Sequence, residues 1–256
     1  MCSSDLTSVS LSANGQKIAF HTNEHLYLHD RASATYTLAG VASDGSPIRP
    51  ATMGSLSADA QVVCFTDFYR DRKTGQAFDQ ISVHDFASGS TEAIARGGYR
   101  ESLKCHVSAD GRSVLVSGEN LTVYDRASGV TEPVCVTPDG QLADAPCHGW
   151  SLSADGRFVA FDSEASNLCA DSEAGVFGVY VRDRVRGLTL RLDRRLDGSF
   201  AGGTSRVGMI SADGHLVSFT SPDPYILPDD DNGVDDVFVV GVPQEGASPI
   251  APSSAP

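Results

Sequence analysis

The segment of this sequence richest in candidate metal ligands is residues 228–236, which read Pro-Asp-Asp-Asp-Asn-Gly-Val-Asp-Asp. Carboxylates crowded so closely repel one another unless water or a cation screens their charge. Asp230 and Asn232 alternate along the chain, and Gly233 allows a sharp turn before Asp236. Oxygen ligands of this kind suit calcium better than a transition metal. The segment is therefore a candidate calcium loop with Asp230, Asn232 and Asp236 as its ligands.

Two other interpretations of this acidic segment stay open. Its side chains would also serve to cap backbone N–H groups in an Asx turn, or to keep a simple acidic loop solvated. An EF-hand loop would need a carboxylate in place of Pro228 and a distant Glu, and the sequence has neither. The aligned segment upstream has Ser172, Ala174 and Gly178 where the ligands would stand. That upstream segment favours a structural loop without metal.

The six cysteines show no C-x-x-C spacing, so the sequence does not indicate a zinc or thioredoxin-like motif. Cys135 and Cys147 flank one predicted loop. A disulfide between them would stabilise the fold by on the order of 3 kcal/mol, and free thiols are the alternative. Cys64 occupies a core position of a predicted strand, where we expect a small buried apolar residue.

Motifs of hydrolytic enzymes are missing from the sequence. It contains no G-x-S-x-G nucleophile elbow and no H-E-x-x-H pair, and its seven histidines are scattered. His29 and His84 each stand directly before an Asp at the end of a predicted strand. Because this position recurs, we predict surface or inter-strand roles for both, and no catalytic residue is assigned.

These residues lie on elements that recur five times. A phrase of the form Leu-Ser-Ala-Asp-Gly precedes an apolar stretch in every repeat, so each repeat opens with a β-hairpin. Asp tolerates the left-handed conformation and accepts backbone hydrogen bonds, which suits a tight turn. We therefore assign structural turn roles to the aspartates of the phrase, Asp59, Asp110, Asp155 and Asp213. A third strand follows, and in four repeats it ends in an aspartate: Asp30, Asp85, Asp125 and Asp183.

Four short strands recur at a period of about 50 residues, without helical periodicity between them. A small four-stranded sheet cannot bury both of its faces and must stack against neighbours around a ring. The sequence therefore predicts an all-β fold, a β-propeller of four-stranded antiparallel blades. About five blades are visible, which would also fit within a six- or seven-bladed ring. The propeller spans residues 7–243, with repeats near 7–50, 51–100, 101–145, 146–204 and 205–243.

A family resemblance rests on two segments of the fourth repeat. Residues 153–161 read Ser-Ala-Asp-Gly-Arg-Phe-Val-Ala-Phe, and residues 179–183 read Val-Tyr-Val-Arg-Asp. This pattern resembles the TolB-type propeller repeat, a relative of the WD repeats, and it extends over roughly residues 9–240. The resemblance implies the fold. Propellers of this type serve as binding platforms, periplasmic adaptors or substrate-gating domains of peptidases, so the resemblance also implies one of these roles.

Both ends of the chain differ from the repeats. Residues 1–6 resemble translated adapter sequence, with a short frayed natural terminus as the alternative. Residues 244–256 are rich in Pro, Ser, Ala and Gly, which predicts a flexible tail or linker and no outer strand for the fifth repeat. We therefore expect a fragment whose signal peptide is lost with its beginning, and a periplasmic or extracellular location.

Charge and hydropathy restrict the partners. The 256 residues include 19 Lys and Arg against 33 Asp and Glu, a net charge of -14 that repels phosphate backbones and disfavours nucleic acid. No apolar run reaches the length of a membrane-spanning helix. The repeats, the acidic charge, the missing catalytic motifs and the tail together favour a noncatalytic binding module with a protein, peptide or cell-envelope partner. The alternative is the substrate-gating propeller of a prolyl-oligopeptidase-like hydrolase whose catalytic domain lies outside this chain.

Overall fold

The computed structural model describes most residues of the chain. They form five antiparallel sheets, and no α-helix occurs among them. No described helix could therefore cross a bilayer. The chain divides into two compact units, Met1–Glu132 and Pro133–Pro256. The described residues are 8–22, 24–48, 51–70, 74–97, 103–118, 120–169, 172, 174–227, 234–243 and 253–254.

The first unit contains three sheets, each with its strands paired in chain order. Blade 1 consists of β1 (Ser8–Leu11), β2 (Lys17–His21), β3 (Leu26–Asp30) and β4 (Thr35–Leu38). Blade 2 consists of β5 (Ala51–Leu56), β6 (Val62–Arg70), β7 (Ala77–Asp85) and β8 (Ser90–Arg96). Blade 3 consists of β9 (Lys104–Val107), β10 (Ser113–Ser117), β11 (Thr122–Asp125) and β12 (Val130–Pro133).

The second unit contains the other two sheets. Blade 4 consists of β13 (Cys147–Leu152), β14 (Phe158–Ser163), β15 (Gly178–Asp183) and β16 (Leu188–Arg191). Blade 5 consists of β17 (Arg206–Ile210), β18 (Leu216–Ser221), β19 (Asp236–Gly241) and β20 (Ser253–Ser254). Five four-stranded antiparallel sheets in succession confirm the predicted all-β propeller class.

The fifth blade differs from the prediction at its outer edge. The sequence predicts no outer strand after β19 and only a flexible tail from residue 244. The structure pairs Ser253 with Val239 and Ser254 with Phe238, so two residues of this segment complete the sheet. Pro, Ser and Ala have low β-propensity, so the composition of this segment did not predict the strand.

Apolar cores lie between neighbouring blades within each unit. One core in the first unit joins Leu28 of blade 1 to Leu56 and Phe65 of blade 2. A second core joins Val83 of blade 2 to Val107 of blade 3. The second unit has a core of the same kind between its two blades, formed by Phe158, Ala160, Val179, Val181, Ile210, Val217, Phe219, Phe238 and Val240 together with neighbouring residues.

The predicted turn aspartates share one hydrogen-bonded arrangement. In blade 2 the Asp59 carboxylate accepts from the Ser57 hydroxyl at 2.7 Å and from the Gln61 backbone N–H at 2.9 Å. The Ser57 hydroxyl oxygen in turn accepts from the Val62 N–H at 3.0 Å, where β6 begins. The serine and aspartate of the phrase therefore hold the turn together. The same pairs form at Asp110, Asp155 and Asp213.

The alanine of the phrase joins neighbouring blades through its backbone. The Ala13 N–H donates to the Ala58 carbonyl, and the Ala58 N–H donates to the Ala109 carbonyl, both at 2.9 Å. In the second unit the Ala154 N–H donates to the Ala212 carbonyl at the same distance. The recurring phrase therefore supplies a turn within each blade and a link between adjacent blades.

Candidate binding cleft

The hairpins that link one blade to the next carry a second Asp-Gly turn. Isolated bridges close these hairpins in blades 1, 3 and 4, at Val41–Pro47, Val136–Leu142 and Arg194–Phe200. Their glycines all adopt positive φ, as a tight turn of this kind requires. This turn was not predicted, although the repeated Asp-Gly pair is a local signal for it: Asp44-Gly45, Asp139-Gly140 and Asp197-Gly198.

A buried ion pair begins the linker after blade 4. Arg191 Nε lies 2.8 Å from Asp193 Oδ1, and Arg191 Nη2 lies 3.2 Å from Asp193 Oδ2. Both side chains are almost completely buried. Burial opposes the charge of Arg191, but the Asp193 carboxylate outweighs it and raises the pKa of the guanidinium. Arg191 Nη2 also donates to the Ala201 carbonyl at 3.2 Å, which fastens the two ends of the linker together.

A cleft of about 450 Å³ opens beside this ion pair. The Phe200 ring stands at its wall, with the Cζ atom of Arg191 4.5 Å and that of Arg194 4.1 Å from the ring centroid. Cation–π contacts of this length orient the ring and both guanidinium groups. The cleft is lined by Val176, Arg191, Arg195, Gly198, Ser199, Phe200, Ala201 and Gly202.

Arg195 forms the accessible cationic edge of the cleft. Its Nη2 lies 2.8 Å from Oδ2 of the buried Asp223, while 29% of the Arg195 side chain is exposed. Asp223 also accepts from the Gly202 N–H at 2.5 Å. Burial opposes the charge of Asp223, but hydrogen bonds from Arg195 and Gly202 hold the pKa of this carboxyl below its usual value.

An exposed aromatic ring stands beside Arg195. The Tyr225 ring centroid lies 5.4 Å from the Arg195 Cζ atom, and Leu196, the next residue in the linker, is exposed as well. A guanidinium offers several planar donors that match a carboxylate, and the aromatic rings offer apolar contact area. This arrangement suits a ligand that carries an anionic group next to an apolar or aromatic one.

Only part of the predicted calcium loop can be placed. Asp230 and Asn232 lie outside the described residues, whereas Asp236 begins β19 and pairs with Ser221 of β18. Within the described ranges, no three His, Cys, Asp or Glu side chains gather as a metal site. In the aligned loop of blade 4, Ser172 Oγ lies 2.9 Å from the Tyr180 hydroxyl, so this position packs against the sheet. Calcium binding stays a prediction.

Two disulfides join described cysteines. One joins Cys135, just after β12, to Cys147 at the start of β13, which is the predicted loop. The other joins Cys64 of β6 to Cys105 of β9, two neighbouring blades of the first unit. The expectation that Cys64 is only a small apolar core residue is therefore wrong. It is buried, but the stacking of blades 2 and 3 brings Cys105 against it.

The histidines that recur before an aspartate contact the fourth strand of their own blades. His29 Nδ1 lies 3.1 Å from the Thr35 carbonyl oxygen, and His84 Nδ1 lies 2.9 Å from the Thr91 hydroxyl. Burial lowers the pKa of His84, so its ring favours the neutral form. Both residues thus take inter-strand positions.

Comparison with known proteins places the fold. No protein-family model and no curated protein sequence matches the chain. A putative TolB from Agrobacterium tumefaciens is similar over 92% of this chain and 76% of its own, at 15% identity and a TM-score of 0.55. The β-propeller domain of the Trilobed protease from Pyrococcus furiosus is similar over 96% of this chain and 69% of its own, at 12% identity and a TM-score of 0.55.

A third similar structure is Porphyromonas gingivalis dipeptidyl peptidase 4, with 12% identity and a TM-score of 0.59. The likeness covers 94% of this chain but only 38% of that enzyme. At such identities these likenesses concern the fold alone. The chain therefore has a TolB-type β-propeller fold, as its repeats predicted.

Proposed function

We propose that this protein is a noncatalytic, exported binding module that captures a segment of a protein or peptide partner. The observation that carries the proposal is the cleft at residues 191–202, which combines an accessible guanidinium with an aromatic wall. Its size lies within the range of pockets that bind small ligands or a few residues of a peptide.

The chemistry of the cleft favours a carboxylate next to an apolar side chain, as in a peptide that ends in Phe. Arg195 uses Nε and Nη2 for Asp223, and among the described residues its Nη1 has no hydrogen-bond acceptor. A ligand carboxylate would accept a charge-assisted hydrogen bond from Nη1 of Arg195. The exposed Leu196 and Tyr225 would contact the apolar side chain of the ligand.

The proposed periplasmic or extracellular location rests on the two disulfides. Disulfides persist in oxidising compartments and are rare in the reducing cytosol. Two of them in one chain, one within a linker and one between blades, favour export.

Calcium is proposed as a stabilising ion of this module, held by Asp230, Asn232 and Asp236. A ligand that binds only the native state must raise its melting temperature. Melting curves of the purified protein with calcium and with chelator test this assignment, and Asp230→Asn is the matched variant. Identical melting temperatures in the two buffers would remove it.

The binding role is tested with a fluorescein-labelled Gly-Gly-Phe peptide that has either a free C-terminal carboxylate or a C-terminal amide. We expect the free acid to bind 10- to 100-fold more tightly, roughly the strength of one hydrogen bond to a charged group. Arg195→Gln should remove this preference in fluorescence anisotropy titrations. The control Arg112→Gln changes an exposed, ion-paired arginine of blade 3 and should leave it intact.

Two results would contradict the proposed binding role. Equal affinities of the free acid and the amide would exclude recognition of the carboxylate. Loss of binding in Arg112→Gln as well as Arg195→Gln would exclude the cleft as the site.

A second candidate function is the substrate-gating propeller of a larger hydrolase. The likeness to propeller-bearing peptidases, including the tricorn protease and dipeptidyl peptidase 4, favours it. The chain spans 23% and 38% of those two proteins. The complete reading frame of the source DNA separates the candidates, because the hydrolase requires a catalytic domain and the binding module does not.

A further inference from the structure

A second arginine of the second unit has surroundings like those of Arg195. Arg206 begins β17, and its Nη1 lies 2.8 Å from Oδ2 of the buried Asp162 on β14. The Arg206 Cζ atom lies 3.5 Å from the centroid of the Phe177 ring. Arg195 is likewise held by a buried carboxylate and an aromatic ring. Contacts of this kind fix the plane of each guanidinium before any ligand arrives.

The Arg206 guanidinium keeps one edge for a ligand. Its Nη1 donates to Asp162, whereas its Nε and Nη2 have no acceptor among the described residues. Arg206 lies between blades 4 and 5, both within the second unit, and 45% of its side chain is exposed. Asp162 is buried and also accepts from the Val207 N–H at 3.2 Å. A ligand can therefore reach the guanidinium but not its counter-charge.

The stacking of blades does not require an arginine at this position. Strand pairing places other residues there: Ser8 in blade 1, Thr52 in blade 2 and His148 in blade 4. Blades 1 and 2 share an apolar core with a threonine at the position of Arg206. The arginine is thus a departure from the repeat, which indicates a role in binding.

Phe177 and His148 complete a cluster around Arg206. The exposed His148 ring lies 5.8 Å from the Phe177 ring between centroids. Phe177 directly follows Val176, which lines the cleft, and its carbonyl accepts from the Ser205 N–H at 3.1 Å. The cluster and the cleft therefore adjoin the same short segment of backbone.

The segment that contains both arginines is cationic in an acidic chain. Residues 191–206 include four Arg and two Asp, whereas the whole chain has a net charge of -14. Both aspartates are engaged, Asp193 with Arg191 and Asp197 with the Ser199 hydroxyl. Charge complementarity at this segment therefore favours an anionic ligand.

We infer that Arg206, together with Phe177 and His148, forms a second subsite that binds an acidic side chain of the peptide whose C-terminal carboxylate binds Arg195. The inference rests on the proposed function and names its partner more closely, as a segment with Asp or Glu a few residues before a C-terminal aromatic residue. The Nε and Nη2 atoms of Arg206 lie on one edge of the planar group, where a carboxylate can accept from both.

Fluorescence anisotropy with two series of N-terminally labelled peptides tests the second subsite. The peptides read Glu-(Gly)n-Phe and Gln-(Gly)n-Phe, and each added glycine lengthens an extended peptide by about 3.5 Å. At the spacing that fits, the Glu peptide should bind about 3- to 10-fold more tightly than its Gln counterpart, because Arg206 is charged but partly exposed.

Arg206→Gln should abolish this gain. The acid-over-amide preference for Gly-Gly-Phe depends on Arg195 and should persist in this variant. Because Arg206→Gln leaves Asp162 buried without its counter-charge, the double variant Asp162→Asn, Arg206→Gln removes both charges and should give the same loss of gain. The control Arg112→Gln should keep the gain. Circular dichroism melting curves establish that the variants are folded.

Two results would overturn the inference. One is equal binding of the Glu and Gln peptides at every spacing while Gly-Gly-Phe keeps its preference for the free acid, which would leave the proposed function intact. The other is a gain that persists in the double variant, which would place the glutamate elsewhere. Equal binding of the acid and amide forms of Gly-Gly-Phe would remove the proposed function itself, and the inference with it.

Discussion

Two linkers of the second unit have the same backbone hydrogen bonds. One is closed by a disulfide and the other by an ion pair. Residues 134–143 and 192–201 repeat the same hydrogen bonds: Ala143 N donates to the Cys135 carbonyl as Ala201 N donates to the Asp193 carbonyl, both at 2.9 Å. In the first linker Cys135 forms a disulfide with Cys147. In the second the matching residue is Asp193, which pairs with Arg191 and with the hydroxyl of Ser205, at the place of Cys147.

In these two linkers the backbone and the side chains have different roles. The bridge and the Asp-Gly turn shape both hairpins, so neither closure defines the hairpin. The ionic closure adds something that the covalent one lacks. Beside it, Arg195 and the Phe200 ring line a cleft, and 29% of the Arg195 side chain is exposed.

The largest effect is expected from Asp193→Ala. This change leaves the Arg191 guanidinium buried without its counter-charge, which should lower the free energy of unfolding by about 3–5 kcal/mol. Urea denaturation at neutral pH measures it. The double variant Arg191→Met, Asp193→Leu removes both charges and should recover most of the loss. A loss below about 1 kcal/mol in Asp193→Ala would mean that the pair does not close this linker.

The covalent closure is tested by the double variant Cys135→Ser, Cys147→Ser. Removing a cross-link over so short a loop should cost about 3 kcal/mol in urea denaturation under oxidising conditions. Cys169→Ser is the control, because Cys169 is the free cysteine of the described residues and should change stability little. If the double variant is as stable as the control, the backbone alone holds this hairpin closed.

The Asp223 carboxylate beside the second linker should make its contribution to stability depend on pH. The folded-state pKa of Asp223 is depressed, so its contribution to stability is present above the unfolded pKa near 3.8 and is lost as pH falls through the folded value. Asp223→Asn should therefore lower the free energy of unfolding at pH 7, by about 1–2 kcal/mol from the weakened hydrogen bonds.

Denaturant titrations of Asp223→Asn and the original protein at pH 7, 5 and 3 measure this dependence. The difference between the two proteins should shrink at the lowest pH. The blade 4 position that matches Asp223 is the buried Ala165, so this carboxylate has no counterpart at the matching position of blade 4. A difference that stays constant down to pH 3 would contradict the assigned pKa direction.

The smallest effect should be shared by both linkers. Gly140 and Gly198 have φ values of +84° and +85°, and an added Cβ would meet no atom within 4 Å at either position. Gly140→Ala and Gly198→Ala should each cost about 1 kcal/mol, because the strain comes from the backbone alone. Unequal losses in thermal or urea denaturation would contradict the common backbone.

The blades could be predicted from sequence because their turns are local. The Ser-Ala-Asp-Gly phrase contains both partners of the turn hydrogen bonds, such as Ser57 and Asp59, within a few residues. Each repeat therefore reports its own hairpin, and five repeats in series predict the propeller class. The Asp-Gly linker turn carries the same kind of local signal.

The cleft beside Arg195 and the second disulfide could not be predicted from the sequence because they depend on packing. Cys64 and Cys105 are separated by 41 positions and meet only when blade 2 lies against blade 3. Arg191 and Asp193 stand two residues apart, which places them on one side of an extended chain, but their burial is imposed by β15 and the linker. The local sequence does not distinguish this buried ion pair from an exposed one such as Arg112–Asp125.

The backbone hydrogen bonds between alanines of neighbouring blades have a consequence for the evolution of the repeats. Ala58 donates its N–H to one neighbouring blade and accepts through its carbonyl from the other, so a repeat carries both halves of the connection. A duplicated repeat would bring its own donor and acceptor, and its side chains would be free to diverge. Duplication of a repeat would thus add a blade, and deletion would remove one, without creating a new kind of contact.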